Sequence, residues 1–186
     1  MCNKIRQHMA WQLPRPIFSV EDGPIQIDET KLPRFRVRNR AVSQTTIAFG
    51  ILSSDKVYTR LVDNRTSHTL LPIIEDKVEK GSTIYTDGFS AYRRLRARGY
   101  DHHTVNHKAG LWKTASGVTT CGIDTYWARL KRFIIRTYIC VENCNIEVYL
   151  REFEYRYMFR TMTHEMFFQL ISNHPPLPPL ESPPQI

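Results

Sequence analysis

Ser82-Thr83-Ile84-Tyr85-Thr86-Asp87-Gly88 is a short β-branched and aromatic run that stops at Asp-Gly, as a strand running into a turn does. The pattern on both sides of it is helical. Upstream, Leu70, Leu71, Ile74 and Val78 recur at helical spacing behind Thr66 and Ser67, either of which suits an N-cap. Pro72 falls early, where a missing N–H costs little, and Gly81 is read as the stop. Downstream, Phe89 to Arg98 reads as a second helix carrying Arg93, Arg94, Arg96 and Arg98 and ending at Gly99. Asp101 to His107 follows as a further strand.

Three more strands precede this block. Ile25-Gln26-Ile27-Asp28-Glu29-Thr30 alternates apolar and polar residues, as a half-buried strand does. Thr45 to Leu52 and Val57 to Val62 are rich in β-branched and aromatic residues, with turn chemistry at Ser53-Ser54-Asp55-Lys56 between them. After a loop containing Gly110 and Gly117, Ile123, Trp127, Leu130 and Ile134 form a narrow apolar stripe on a third helix. The order is three strands, helix, strand, helix, strand, helix. It predicts an α/β RNase H-like fold, a mixed five-stranded sheet flanked by helices, with the first and fourth strands side by side. An aromatic-rich stretch, Ile146 to about Leu170, adds a C-terminal helix.

Domain boundaries follow from the same reading. Residues 1–24, broken by Pro14, Pro16 and Pro24, are read as an N-terminal remnant or linker, and 25–172 as the folded domain. Residues 173–186 are read as a disordered tail, because six prolines fall in the twelve positions from Pro175. Lys31 to Arg40, with five Lys or Arg, reads as an exposed basic arm.

Composition bounds the function. A chain of 186 residues with 41% hydrophobic and 24% charged side chains suits one ordinary globular domain. No apolar run approaches the roughly 20 residues that span a bilayer, so no membrane role is expected. Met1-Cys2-Asn3-Lys4-Ile5-Arg6 lacks the apolar region of a secretory signal. Cys2, Cys121, Cys140 and Cys144 form no CxxC pair, which predicts reduced thiols rather than a disulfide framework. Cys140 and Cys144 suit one helical face, but a zinc site would need two further ligands. The net charge of +8 and pI near 9.5 favour phosphate polyanions through Coulomb attraction and counterion release.

Three carboxylates then stand out. Asp28 lies near the end of the first strand, Asp87 ends the fourth, and Asp124 opens the last helix. Acids brought together repel unless a cation sits between them, and Mg²⁺ (or Mn²⁺) is a hard ion that takes oxygen ligands. Phosphodiester chemistry uses two such ions, roughly 3.5–4 Å apart, one at the attacking oxygen and one at the leaving oxygen. Lys131 lies two turns beyond Asp124 on the same face, about 10 Å further along at about 1.5 Å per residue, where it suits a substrate phosphate. Each acid also has an ordinary reading: Asp87 as turn chemistry, Asp28 as a strand-end residue, and Asp124 as a partner for a positive helix N-terminus.

Several segments carry a resemblance. Gln26-Ile27-Asp28-Glu29-Thr30, Leu70-Leu71-Pro72-Ile73-Ile74, Ser82 to Tyr92 and Thr104-Val105-Asn106-His107 resemble, in order, DDE-class insertion-sequence transposases of the ISXO type, which are related to the enzymes of eukaryotic Merlin elements. Ile123-Asp124-Thr125-Tyr126-Trp127, with Leu130-Lys131-Arg132 after it, is similar to that family's closing motif. The likeness runs from about Pro24 to about Arg160. It implies Mg²⁺-dependent DNA cleavage and strand transfer at element ends, on a homo-oligomer that brings two ends to target DNA. It also implies that Asp28, Asp87 and Asp124 are the catalytic, metal-binding triad. The family's third acid is typically Glu, here Asp124, and its usual Asn three residues earlier is here Cys121. A carboxylate one methylene shorter loosens metal geometry by about 1 Å, enough to cost on the order of 10²-fold.

Arg93 and Arg94, Lys131 and Arg132, and the signature pair Asn106 and His107 are the candidate DNA-binding residues. An exposed basic face or a polar strand end is the plain alternative for each, and Trp112 suits packing as well as base stacking. Only about 24 residues precede the first strand, so a separate end-recognition module is expected to be missing or reduced to a remnant. Two other functions fit the same residues: a decayed or domesticated copy that binds DNA without cutting it, and a metal-dependent RNase H-like nuclease of another lineage. A eukaryotic host would put the protein in the nucleus, and any other host in the cytoplasm or nucleoid.

Overall fold

In the strand β1 (Ile25–Lys31), Ile25 and Ile27 are fully buried, and the polar residues between them face the other way. This two-residue alternation assigns each side chain to one side of a sheet. The computed structural model describes residues 2–32, 46–105, 114, 117–137, 146–161 and 164. Four further strands complete the sheet: β2 (Ile47–Leu52), β3 (Val57–Val62), β4 (Thr83–Asp87) and β5 (Asp101–Val105). Their order is β3-β2-β1-β4-β5. β1, β2 and β3 pair antiparallel, while β1, β4 and β5 run parallel. This is the RNase H-like arrangement, with the first and fourth strands adjacent as the element order predicts.

Each face of the sheet has its own apolar layer. On one face, Ile25, Ile27, Phe49, Ile51 and Ile84 pack against Leu70, Leu71, Ile73 and Ile74 of α2 (Ser67–Lys77). On the other, Ala48, Leu52 and Val57 pack against Ile123, Trp127, Leu130 and Ile134 of α3 (Cys121–Thr137), the stripe read from the sequence. Ile146, Leu150 and Phe153 of α4 (Ile146–Met158) close that layer. Full burial of each such side chain contributes about 1.5–3 kcal/mol, so the sheet is held from both sides. At the β3 edge, the buried carboxylate of Glu154 accepts from the Thr59 backbone N–H, from Thr59 Oγ1 at 2.7 Å and from Arg151 Nη1 at 2.8 Å. A helix side chain thereby occupies the edge strand's unpaired donor.

The structure departs from the sequence reading in four places. Residues 2–12, given no element by that reading, form α1 (Cys2–Gln12), which packs on α4 with Arg6 Nε 2.8 Å from Glu152 Oε2. Beyond it, Phe18 is fully buried, donates its N–H to Lys77 O at 2.8 Å and accepts from Glu79 N at 2.8 Å. The prolines divide this segment without detaching it, because a buried aromatic anchors its end. Second, α2 stops at Lys77 rather than at Gly81, since Val78 turns extended to bridge Phe18. Gly81, at φ +89°, makes the later turn into β4 and donates to Gly99 O at 2.8 Å. Third, Phe89 to Arg98 is two single-turn 3₁₀ segments, Ser90–Tyr92 and Arg96–Arg98, rather than one helix. The stretch is pinned between the Asp87 turn and Gly99, and it buries only Ala91, Tyr92 and Leu95, too few positions to sustain a longer amphipathic helix. Fourth, Asp28 lies at the centre of β1 rather than near its end. The end of the predicted fifth strand, most of the basic arm, much of the loop holding Gly110 and Trp112, most of the stretch after Met158 and the proline tail lie outside the described residues.

Candidate active site

The site is built where α3 crosses β1 and β2. Gln26 and Asp28 share the face of β1 opposite Ile25 and Ile27, and that face meets α3. Gln26 Oε1 accepts the Ile123 N–H at 2.9 Å, which satisfies one of the free donors at the start of α3. Two glycines allow the close approach. A Cβ on Gly122 would lie 2.8 Å from Gln26 Oε1, and one on Gly50 would lie 2.6 Å from Trp127 Cζ2. Gly50 pairs directly with Asp28 across the β1–β2 ladder. The Trp127 ring therefore lies on the sheet beside Asp28, and Asp124, one turn earlier on α3, is brought toward the same place.

Asp87 arrives from β4. The β1–β4 register pairs Ile25 with Ile84 and Gln26 with Tyr85. Strand alternation beyond Tyr85 puts Asp87 on the α3 side of the sheet, the side of Asp28. Asp87 Oδ1 accepts the Phe89 N–H at 3.0 Å, so the acid also makes the turn that its Asp-Gly sequence suggests. Asp124 Oδ2 accepts from Thr120 Oγ1 at 3.2 Å.

The electrostatics converge on Asp28. Burial pushes its carboxyl up to about 8, the neighbouring Glu29 charge adds to this, and Asp124 and Asp87 push in the same direction. Glu29 is also raised, by burial first and by Asp87, while a hydrogen bond from Tyr92 and the charge of Arg65 pull it down. The three predicted acids thus act on one point, and Glu29 joins them as a fourth. Among the described residues, no three His, Cys, Asp or Glu side chains stand close enough together to share one ion.

The remaining predicted residues are spread around this point. Lys131 is half-buried and Arg132 exposed, both beyond Asp124 on α3. Arg93 and Arg94 are exposed on the turn after β4. The other two arginines of that turn are engaged in the fold: Arg96 Nε donates to His102 O at 2.9 Å, and Arg98 pairs with Glu75. Asn106 and His107 lie outside the described residues. His102 is buried, with Nε2 2.8 Å from Thr86 Oγ1, and burial first, then Arg96, holds its pKa below the ordinary histidine value. It reads as a neutral strand residue.

Sequence reading missed Glu29, Tyr92, Arg65 and Gln26 as site neighbours. Strand alternation puts Glu29 on the face opposite Asp28, and no spacing signal links it to residues 36 and 63 positions away.

Two solved structures are similar: the HTLV-2 integrase catalytic core domain in complex with magnesium, 13% identical at a TM-score of 0.42 over 76% of this chain and 86% of that one, and the catalytic core domain of BIV integrase, 11% identical at 0.43 over 80% and 98%. An uncharacterized transposase-like protein of Haemophilus influenzae is 35% identical over 102 residues, covering 55% of this chain and 80% of that protein. Residues 20–158 match the ISXO2-like transposase domain, and the chain belongs to that family.

Proposed function

We propose that this chain is a DDD-type transposase catalytic domain that cleaves DNA and transfers strands at element ends, with Asp28, Asp87 and Asp124 holding Mg²⁺ or Mn²⁺. One observation carries the reading: a carboxyl in the middle of a strand is raised to about 8 by burial and by the charges of three other acids. Such crowding makes the charged form of the carboxyl costly, and a bound cation relieves that cost. The donors are carboxylate oxygens alone, which suits a hard divalent ion. When bound, two such ions would activate the attacking oxygen and stabilise the leaving oxygen at phosphorus.

The protein's own contribution is position and charge. Asp28, which feels the charges of both Asp87 and Asp124, would hold the metal together with them. Lys131 and Arg132 would hold the scissile strand by its phosphates, and Arg93 and Arg94 would extend that contact beyond β4. Asn106 and His107, which follow Val105 in the sequence, carry the same expected role. The protein would act as an oligomer on DNA, because two element ends must reach one target.

The decayed, DNA-binding reading is favoured by the shorter third acid, Asp124. One experiment separates the two: Mg²⁺- or Mn²⁺-dependent nicking of supercoiled plasmid by wild type, Asp87→Ala and Asp124→Glu. An active domain nicks with metal, loses nicking in Asp87→Ala, and keeps or gains it in Asp124→Glu. Equal, negligible nicking by all three proteins, with DNA binding retained, would establish the inactive reading.

A further inference from the structure

Glu29 follows Asp28 in β1 yet points the other way. Its side chain is only 3% exposed, and both oxygens are engaged on the α2 side of the sheet. Oε2 accepts the Tyr92 hydroxyl, and Oε1 lies 3.9 Å from Arg65 Nη1. Tyr92 is fully buried in the α2-side core, so its hydroxyl is a fixed donor. The Arg65 guanidinium also lies 5.2 Å from the centre of the Phe89 ring, in the turn made by Asp87.

This constellation falls at a gap in the sheet. β1 is paired with β2 from Gln26 to Lys31, but with β4 only at Ile25 and Gln26. Among the described residues, the β1–β4 ladder therefore stops before Asp28 and Asp87, and backbone pairing does not hold those two acids at a set distance. Glu29 is one residue from Asp28. Tyr92 is five residues from Asp87, through a turn closed by the Phe89 N–H on Asp87 Oδ1.

We infer that the Glu29–Tyr92 hydrogen bond is a clasp across this gap that sets the separation of Asp28 and Asp87, with Glu29 a positioning residue and not a metal ligand. The inference rests on the reading of Asp28 and Asp87 as metal ligands. Groups that orient ligands without touching the ion typically account for about 10–100-fold in metal affinity or activity. A clasp needs only an acceptor at position 29 and a hydroxyl at position 92, whereas a ligand needs the carboxylate charge itself.

The test is Mn²⁺ titration of the full chain, followed by the electron paramagnetic resonance of free Mn²⁺, with amide hydrogen exchange at residues 28–30 and 87–89. Wild type is compared with Tyr92→Phe, Glu29→Gln, Glu29→Ala and the Tyr92→Phe/Glu29→Ala double variant. The clasp predicts about tenfold weaker Mn²⁺ binding and faster exchange at 87–89 in Tyr92→Phe. It also predicts a similar loss in Glu29→Ala, no further loss in the double variant, and rescue to near wild type in Glu29→Gln, whose amide oxygen still accepts. Wild-type affinity and exchange in Tyr92→Phe would overturn the clasp. So would a Glu29→Gln variant as weak as Glu29→Ala, which would make Glu29 a ligand. Failure of wild type itself to bind Mn²⁺ would instead overturn the metal-ligand reading, and this inference with it.

Discussion

Asp28 holds its proton to about pH 8 in the folded chain, against an ordinary value of 3.8 when exposed. A carboxyl whose folded value is raised binds more protons folded than unfolded across that interval, so stability falls as pH rises through it. The contribution is fully present below about pH 4 and is lost by about pH 8. In EDTA, the melting temperature of wild type should therefore drop between pH 5 and pH 8.5 more steeply than that of Asp28→Asn, which has no proton to lose. The variant should be the more stable protein at pH 8.5. Calorimetric melts at the two pH values check this, and parallel curves would mean that Asp28 is well solvated. At this scale the sequence marks candidates and is silent about environment: Asp28, Asp87 and Asp124 stand out by position, but the charges of Asp87 and Asp124 reach Asp28 only once β4 lies beside β1 and α3 is laid across it.

α3 is the element that completes the site, and its seat depends on residues with no chemistry of their own. Gly50 leaves room for the Trp127 ring where a Cβ would lie 2.6 Å from Cζ2, and Gln26 receives the first turn of the helix. Gly50→Ala should force Trp127 and the start of α3 outward. Overpacking of this kind costs about 1–3 kcal/mol. Asp124 moves with the helix, so metal-dependent nicking should fall by more than the stability loss explains. Denaturant melts and nicking assays on one preparation separate the two effects, and unchanged stability would show that Trp127 has space to turn aside. The apolar stripe Ile123, Trp127, Leu130 and Ile134 was legible because it is a local pattern of period 3.6. The glycine that admits it was not, because Gly50 sits more than 70 residues upstream in a strand that reads well without reference to it. The stretch from Phe89 to Arg98 departs from its helical spacing because short turns hold it in place of one continuous α-helical ladder, with the Arg98 N–H shared between Arg94 O at 3.1 Å and Leu95 O at 3.0 Å.

Across the whole chain, Lys and Arg outnumber Asp and Glu by 26 to 18. A net charge of +8 predicts DNA binding that weakens steeply with salt and is largely independent of sequence. Fluorescence anisotropy with two unrelated duplexes should give the same linear fall of log affinity against log salt. On the proposed reading, Asp87→Ala should bind DNA at least as well as wild type in the absence of metal, since it removes an acid from the proposed strand path. A strong preference for one duplex would point to base readout, for which no described element is evident.

The five strands and the RNase H-like order of the sheet were carried by the chain's own text, because strand alternation and helical periodicity are local signals, and the same text marks Asp28, Asp87 and Asp124 as candidates. Other features were settled by the tertiary structure alone. These include the packing of α1 and Phe18 onto the domain, the close approach of Trp127 to Gly50, and the turn of Glu29 away from Asp28 toward Tyr92 and Arg65. Each depends on residues distant in sequence meeting at van der Waals or hydrogen-bond distance, and no spacing along the chain encodes which of them will meet.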